Sequence, residues 1–219
     1  MPRLKPDTRE ARREHILDAA ELCFARSGFH RTTMHDICRE AGVSPGALYI
    51  HFASKEQLIA GIAERDRAKL AGELSEVAQA PDLVAALARL GEHYTVEQPR
   101  HKRVLFVEIG AESTRNEAVG AIFQAVDKDC NQSFASLFRR AAEEGRISPR
   151  FDIDKIAQVL ALIGDGLFWR RAVDPSFDAN QVLPVITELV KTMIEPVEPL
   201  AEVQVSGSTA FNRDEEPCV

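Results

Sequence analysis

A chain of 219 residues with 45% hydrophobic content is long enough for one average domain or two small ones, and apolar enough to bury a real core. Its formal charge of −7 excludes a general nucleic-acid coat protein, and no apolar run approaches the length of a membrane span. The charge is unevenly placed. Residues 1–55 hold nine Lys and Arg against seven Asp and Glu, together with His15, His30, His35 and His51, so a mildly basic head precedes an acidic body. The polar start MPRLKPDTREARREH reads as no secretory leader, and Cys23, Cys38, Cys130 and Cys218 show no CxxC spacing. Reduced thiols and a cytoplasmic location are therefore expected.

Residues 1–8 are expected to form a basic arm. A first helix is predicted from about Thr8 to Ser27, with Ile16, Ala20, Cys23 and Phe24 on its buried face and Gly28 at its end. Thr33 caps a second helix, whose apolar residues Met34, Ile37, Cys38 and Ala41 recur at i, i+3, i+4 and i+7. Gly42 then suits a turn with φ > 0, and Val43 is an apolar plug. Ser44 and Pro45 cap and open a third helix to about His51. Leu48 and Phe52 can face inward, leaving Ser44, Gly46, Ala47, Tyr49 and His51 outside.

Helix, glycine turn, helix is the signature of a helix-turn-helix DNA-binding unit. Small residues at Gly46 and Ala47 let the helix start approach base edges. Tyr49 brings a hydroxyl and a ring, and His51 faces a phosphate. Lys55, following the cap Ser54, makes a phosphate site at a helix N-terminus. The expected DNA contacts are Arg31, Thr32, Thr33, Ser44, Pro45, Gly46, Ala47, Tyr49, His51 and Lys55.

Further along, a long helix is predicted from Ser54 to Val77 or beyond, with Leu58, Ile62, Leu70 and Leu74 facing in. Others follow from Asp82 to about Gln98, over residues 101–114, from Asn116 to Glu144, from Asp152 to about Ala172 and from Asp178 to about Ile194. No strand-like alternation of useful length occurs, so the fold class is all-α with about nine helices. The organisation is a helix-turn-helix domain over 1–55, a helical second domain over 56–195, and a disordered acidic tail over 196–219. The last two helices are apolar on more than one side: Val159, Leu162, Gly166 and Trp169 form one stripe, and Ile156, Leu160, Ile163 and Leu167 another. Such helices need cover on both sides, from a second copy or from the rest of the monomer.

The opening helix ILDAAELCFARSGF and the run TTMHDICREAGVSPGALYIHFASKEQL resemble the TetR family of bacterial transcriptional regulators, densely over about residues 9–62. Beyond that the similarity covers only the general pattern of a helical second domain. The resemblance implies a homodimer closed by a four-helix bundle of the last two helices, and a near-palindromic operator in double-stranded DNA. It also implies a small-molecule pocket whose occupation moves the heads apart, and so assigns effector binding and dimerisation to residues 56–195.

Candidate ligand contacts are His93, Phe106, Ile109, Glu112, Phe123, Val126, Asp127, Cys130, Phe134, Asp165, Phe168 and Trp169. An aromatic-lined pocket with a few polar anchors suits a drug-sized ligand, so a lipophilic or aromatic effector is expected. Acidic residues inside such a pocket would favour cations. Each phenylalanine also has a plain core reading, and Glu108 and Glu112 a solvated one. No close-spaced metal ligands, phosphate loop or nucleophile motif is present, so no metal, cofactor or catalysis is expected. The alternatives left open are a regulator without small-molecule control and, less favoured, a helical enzyme. Repressor and activator are not distinguished by the motif.

Overall fold

The computed structural model describes residues 6–197, with side chains from residue 9. Most of the expected basic arm and nearly all of the expected acidic tail, with Cys218, lie outside the described residues. Nine α-helices are present among them: α1 (Pro6–Arg31), α2 (Met34–Glu40), α3 (Pro45–Tyr49), α4 (Lys55–Gln79), α5 (Leu83–Glu92), α6 (Arg100–Ser113), α7 (Glu117–Glu143), α8 (Ile153–Val173) and α9 (Leu183–Ile194). The fold is all-α, as the sequence predicts. No described helix is long and apolar enough to cross a membrane.

The boundaries follow from local chemistry. Thr33, Ser44, Ser54, Asp82, Asn116 and Asp152 each accept a hydrogen bond from a backbone N–H of the first turn they precede. At Thr33 the cap is reciprocal, because Asp36 accepts from the Thr33 N–H in return. Gly28 (φ 78°) breaks α1, leaving Phe29–Arg31 as a separate turn, and Gly42 (φ 60°) turns the chain between α2 and α3. α5 runs on through a π-helical turn, His93–Glu97, before Pro99 starts α6. Asp178 caps only a short 3-10 turn, Ala179–Gln181, and α9 begins after it.

Two clusters of buried side chains hold the fold. In the head, Ile16, Leu17 and Phe24 of α1 meet Ile37 of α2, Leu48 of α3 and Leu58 of α4. That cluster continues through Ile59 and Ile62 to Leu105 of α6 and Val119 of α7. A boundary at residue 55 therefore falls within one packing unit, because the first two turns of α4 are part of the head's core. In the body, Phe138 of α7 is fully buried among Leu74, Leu83, Ile156, Val190 and Ile194. Five helices contribute to that second cluster, so a cavity there is felt by all of them. Phe138→Ala is expected to cost about 3–5 kcal/mol. Urea denaturation should show a lower midpoint at unchanged slope.

Candidate DNA-binding head and ligand cavity

The head presents α3 outward. Ser44, Pro45, Gly46 and Tyr49 are exposed and Ala47 half-buried, while Leu48 and Phe52 are buried beneath them. Tyr49 is 53% exposed. Ile50, which sequence reasoning passed over, is more exposed still and could meet a thymine methyl. His51 is half-buried, and its pKa is lowered, first by burial and then by Arg9, Arg12 and Arg13 of α1. These three arginines, at i, i+3 and i+4, bring positive charge beside the recognition helix. Their spacing is the signal that could have found them.

Beneath α3 the head is fastened to the body by polar groups. The Phe29 N–H donates to Glu108 Oε1 of α6 at 3.0 Å. His30 Nε2 lies 2.9 Å from Glu112 Oε2, and Arg115 Nε donates to the same oxygen at 2.9 Å. Lys55 Nζ donates to the Phe29 carbonyl and rests 4.2 Å from the centre of the Phe29 ring. The φ of 78° at Gly28 favours glycine, and a Cβ there would stand 2.7 Å from Glu108 Oε1 and push that carboxylate off the Phe29 N–H. Farther along α1, buried Glu21 pairs with Arg65 of α4 and, at 2.5 Å, with Lys102 of α6.

The body holds a cavity of about 320 Å³ between α4, α5, α6, α7, α8 and α9. Phe106, Phe123, Phe134 and Phe168 supply aromatic walls, with Leu160, Leu183 and Ile186 opposite. The Phe106 ring lies 6.0 Å from that of Phe123 and 5.4 Å from that of Phe168. A second cavity of about 290 Å³ adjoins it towards α4, sharing Tyr94, Phe106, Phe123 and Phe168. Tyr94 Oη donates to Glu73 at 2.6 Å, and burial with that hydrogen bond raises its pKa well above the usual phenol range.

Residues 16–62 match the family described as bacterial regulatory proteins, tetR family. Residues 84–195, just over half the chain, match the one described as BetI-type transcriptional repressor, C-terminal. The chain belongs to the TetR family of bacterial transcriptional regulators. The HTH-type transcriptional regulator UidR of Escherichia coli strain K12 is 33% identical to it over 148 residues, 68% of this chain and 75% of UidR. Among solved structures, Salmonella enterica GusR superposes with a TM-score of 0.72 at 29% identity, covering 84% of this chain and 96% of that one. A SmeT–triclosan complex superposes with a TM-score of 0.70 at 25% identity, covering 88% and 100%. This TetR-family chain is a DNA-binding regulator, of the repressor type that its C-terminal half matches, and not an enzyme.

Within this TetR-family fold several expected site residues are placed elsewhere. Thr32 is 2% exposed, and its hydroxyl donates to the carbonyls of Cys23 and Gly28, so its side chain does not reach DNA. Lys55 points at the end of α1, not into solvent, and the free phosphate-binding ammonium expected there is already engaged. Arg31 and Thr33 stay exposed, at the end of α1 and the start of α2. Phe106, Phe123, Val126, Asp127, Cys130, Phe134, Asp165 and Phe168 do line the cavity.

The remaining four ligand candidates do not. Ile109 borders the second cavity. His93, in the π-helical turn, points to the surface and meets Glu97 at 2.8 Å, while its neighbour Tyr94 takes the inward place. Glu112, 1% exposed, serves the head junction, neither solvated nor in the cavity. Trp169, 56% exposed, lies on the outer face of α8.

Tyr49→Ala should lower operator affinity by about tenfold while leaving the free energy of unfolding within about 0.5 kcal/mol of wild type. Fluorescence anisotropy paired with urea denaturation reads both, and unchanged affinity would remove Tyr49 from the contacts. Lys55→Ala, which frees the end of α1 from α4, should cost about 1 kcal/mol of stability in urea denaturation. Unchanged stability would contradict that structural role.

Proposed function

We propose that this chain is a homodimeric repressor that leaves its operator when a lipophilic, partly aromatic small molecule fills the body cavity. The observation that carries this reading is that α6 serves both ends. Its Phe106 stands in the wall of the cavity, and its Glu108 and Glu112 hold the turn that ends α1. A ligand that displaces α6 therefore acts on the head directly. The SmeT–triclosan complex, similar over 88% of this chain, supports small-molecule binding by a protein of this fold.

Dimerisation is supported by the outer faces of α8 and α9. Leu162 is 70% exposed, and Val159, Trp169, Val185 and Leu189 are exposed around it. An apolar surface of that extent on the last two helices needs cover from a partner. Of the two stripes, the one with Ile156 and Leu167 faces inward, so the outer stripe is left to the second copy. Two heads related by a two-fold axis then read a near-palindromic operator. The absence of a described membrane-crossing helix fits a cytoplasmic location.

Fluorescence anisotropy on duplex DNA from upstream of the protein's own coding region, with a shuffled duplex as control, tests the operator grip. Selective binding that falls steeply with salt is expected. Equal weak binding to both would move the target elsewhere. Leu162→Glu should convert the dimer to monomer in sedimentation velocity and reduce operator affinity, with helix content unchanged. A dimer that persists would place the partner on another face.

A further inference from the structure

The cavity is lined by two charged side chains, Asp127 of α7 and Asp165 of α8, and by no Lys, Arg or His. Both residues are exposed where the cavity opens, on the packed helices α7 and α8. Partial desolvation against the cavity wall first, and then the charge of Asp127, raises the pKa of Asp165. Burial, with both aspartates behind it, also pushes the Cys130 thiol up to about 11, so that wall offers no thiolate. Asp127 has a neutral neighbour in Asn131, whose Nδ2 donates to it at 3.1 Å.

The adjoining cavity does hold bases, but acids match them. Arg67 pairs with Asp129 at 2.7 Å, Lys69 with Glu73 at 3.6 Å, and Lys102 with Glu21 and Asp66. Uncompensated charge in this region is therefore negative and concentrated at Asp127 and Asp165. Around it stand Phe106, Phe123, Phe134 and Phe168, whose ring faces attract cations.

Accepting the cavity as the effector site, we infer that the effector is an organic cation with a lipophilic, partly aromatic body, its charge held by Asp127 and Asp165 and its body packed on the phenylalanines. A neutral molecule would leave the two carboxylates unmatched beside the aromatic wall, and an anion would add a third negative charge next to them. A cation relieves both.

Calorimetric titration of the full chain with three probes tests the assignment. Tetraphenylphosphonium and tetraphenylborate match in size and carry opposite charge, and triphenylphosphine oxide is neutral. The cation should bind about tenfold or more tightly than the neutral probe, and the borate more weakly than either. The Asp127→Asn and Asp165→Asn double variant, isosteric and near the cavity mouth, should lose about tenfold in cation affinity and keep its affinity for the phosphine oxide. Ala161→Trp, which fills the cavity, should abolish cation binding while the melting transition stays cooperative.

Neutral or anionic binding as tight as that of the cation, or cation affinity untouched in the double variant, would overturn the charge assignment and leave the cavity as a ligand site. Binding of none of the three probes, or cation binding that survives Ala161→Trp, would overturn the cavity reading with it.

Discussion

Buried carboxylates join the head to the body beside the shared apolar cluster, and their pairing holds α1 against α4 and α6. Glu21 and Glu112 are almost completely buried, and each meets cationic or protonatable partners across an element boundary. A buried carboxylate separated from its partner is costly, because the Coulomb attraction is lost while the desolvation is not regained. The junction therefore resists small slippage and favours discrete arrangements. Phe29 concentrates the effect: its N–H is held by Glu108 of α6 and its carbonyl by Lys55 of α4. One residue thus ties the start of α4 to α6, which walls the cavity.

This junction also explains why Lys55 behaves differently from a simple phosphate-binding lysine. Its ammonium satisfies the carbonyls that end α1, a stabilising arrangement for a cation at a helix C-terminus. At the same time it stands at the N-terminus of α4, beside the recognition helix. The lysine therefore links the geometry of the head to its charge. His51 is arranged similarly, with Arg9, Arg12 and Arg13 lowering its pKa. Burial and these neighbours disfavour its charged form, and the arginines carry the positive charge that a phosphate requires.

Features set by neighbours in the sequence were legible. Caps at Thr33, Ser44, Ser54, Asp82, Asn116 and Asp152, and breaks at Gly28 and Gly42, are local chemistry and stand where the pattern put them. The outward stripe of Val159, Leu162 and Trp169 was legible as a stripe, but not its direction, so Trp169 was assigned to the ligand when it faces outward. Glu112 was illegible for a different reason. Periodicity places it on a face shared with Glu108, yet only the tertiary approach of α1 buries that face. Thr32 sits one residue before an exposed cap, and sequence distance alone could not separate a buried hydroxyl from a DNA-facing one.

The position of Phe106 connects the two halves of the molecule. It is common to both cavities, and its ring contacts those of Phe123 and Phe168. A ligand that lies across both cavities packs against those rings. Close-packed interiors transmit displacement because they do not compress. α6 bears the ring at Phe106, and two and six residues later bears the carboxylates that hold Phe29 and His30. A shift of that helix reaches the head without passing through α4. Ligand binding moves the equilibrium only by the difference in its affinity for the two arrangements. Control is therefore strongest for a ligand that fits one arrangement and is excluded by the other.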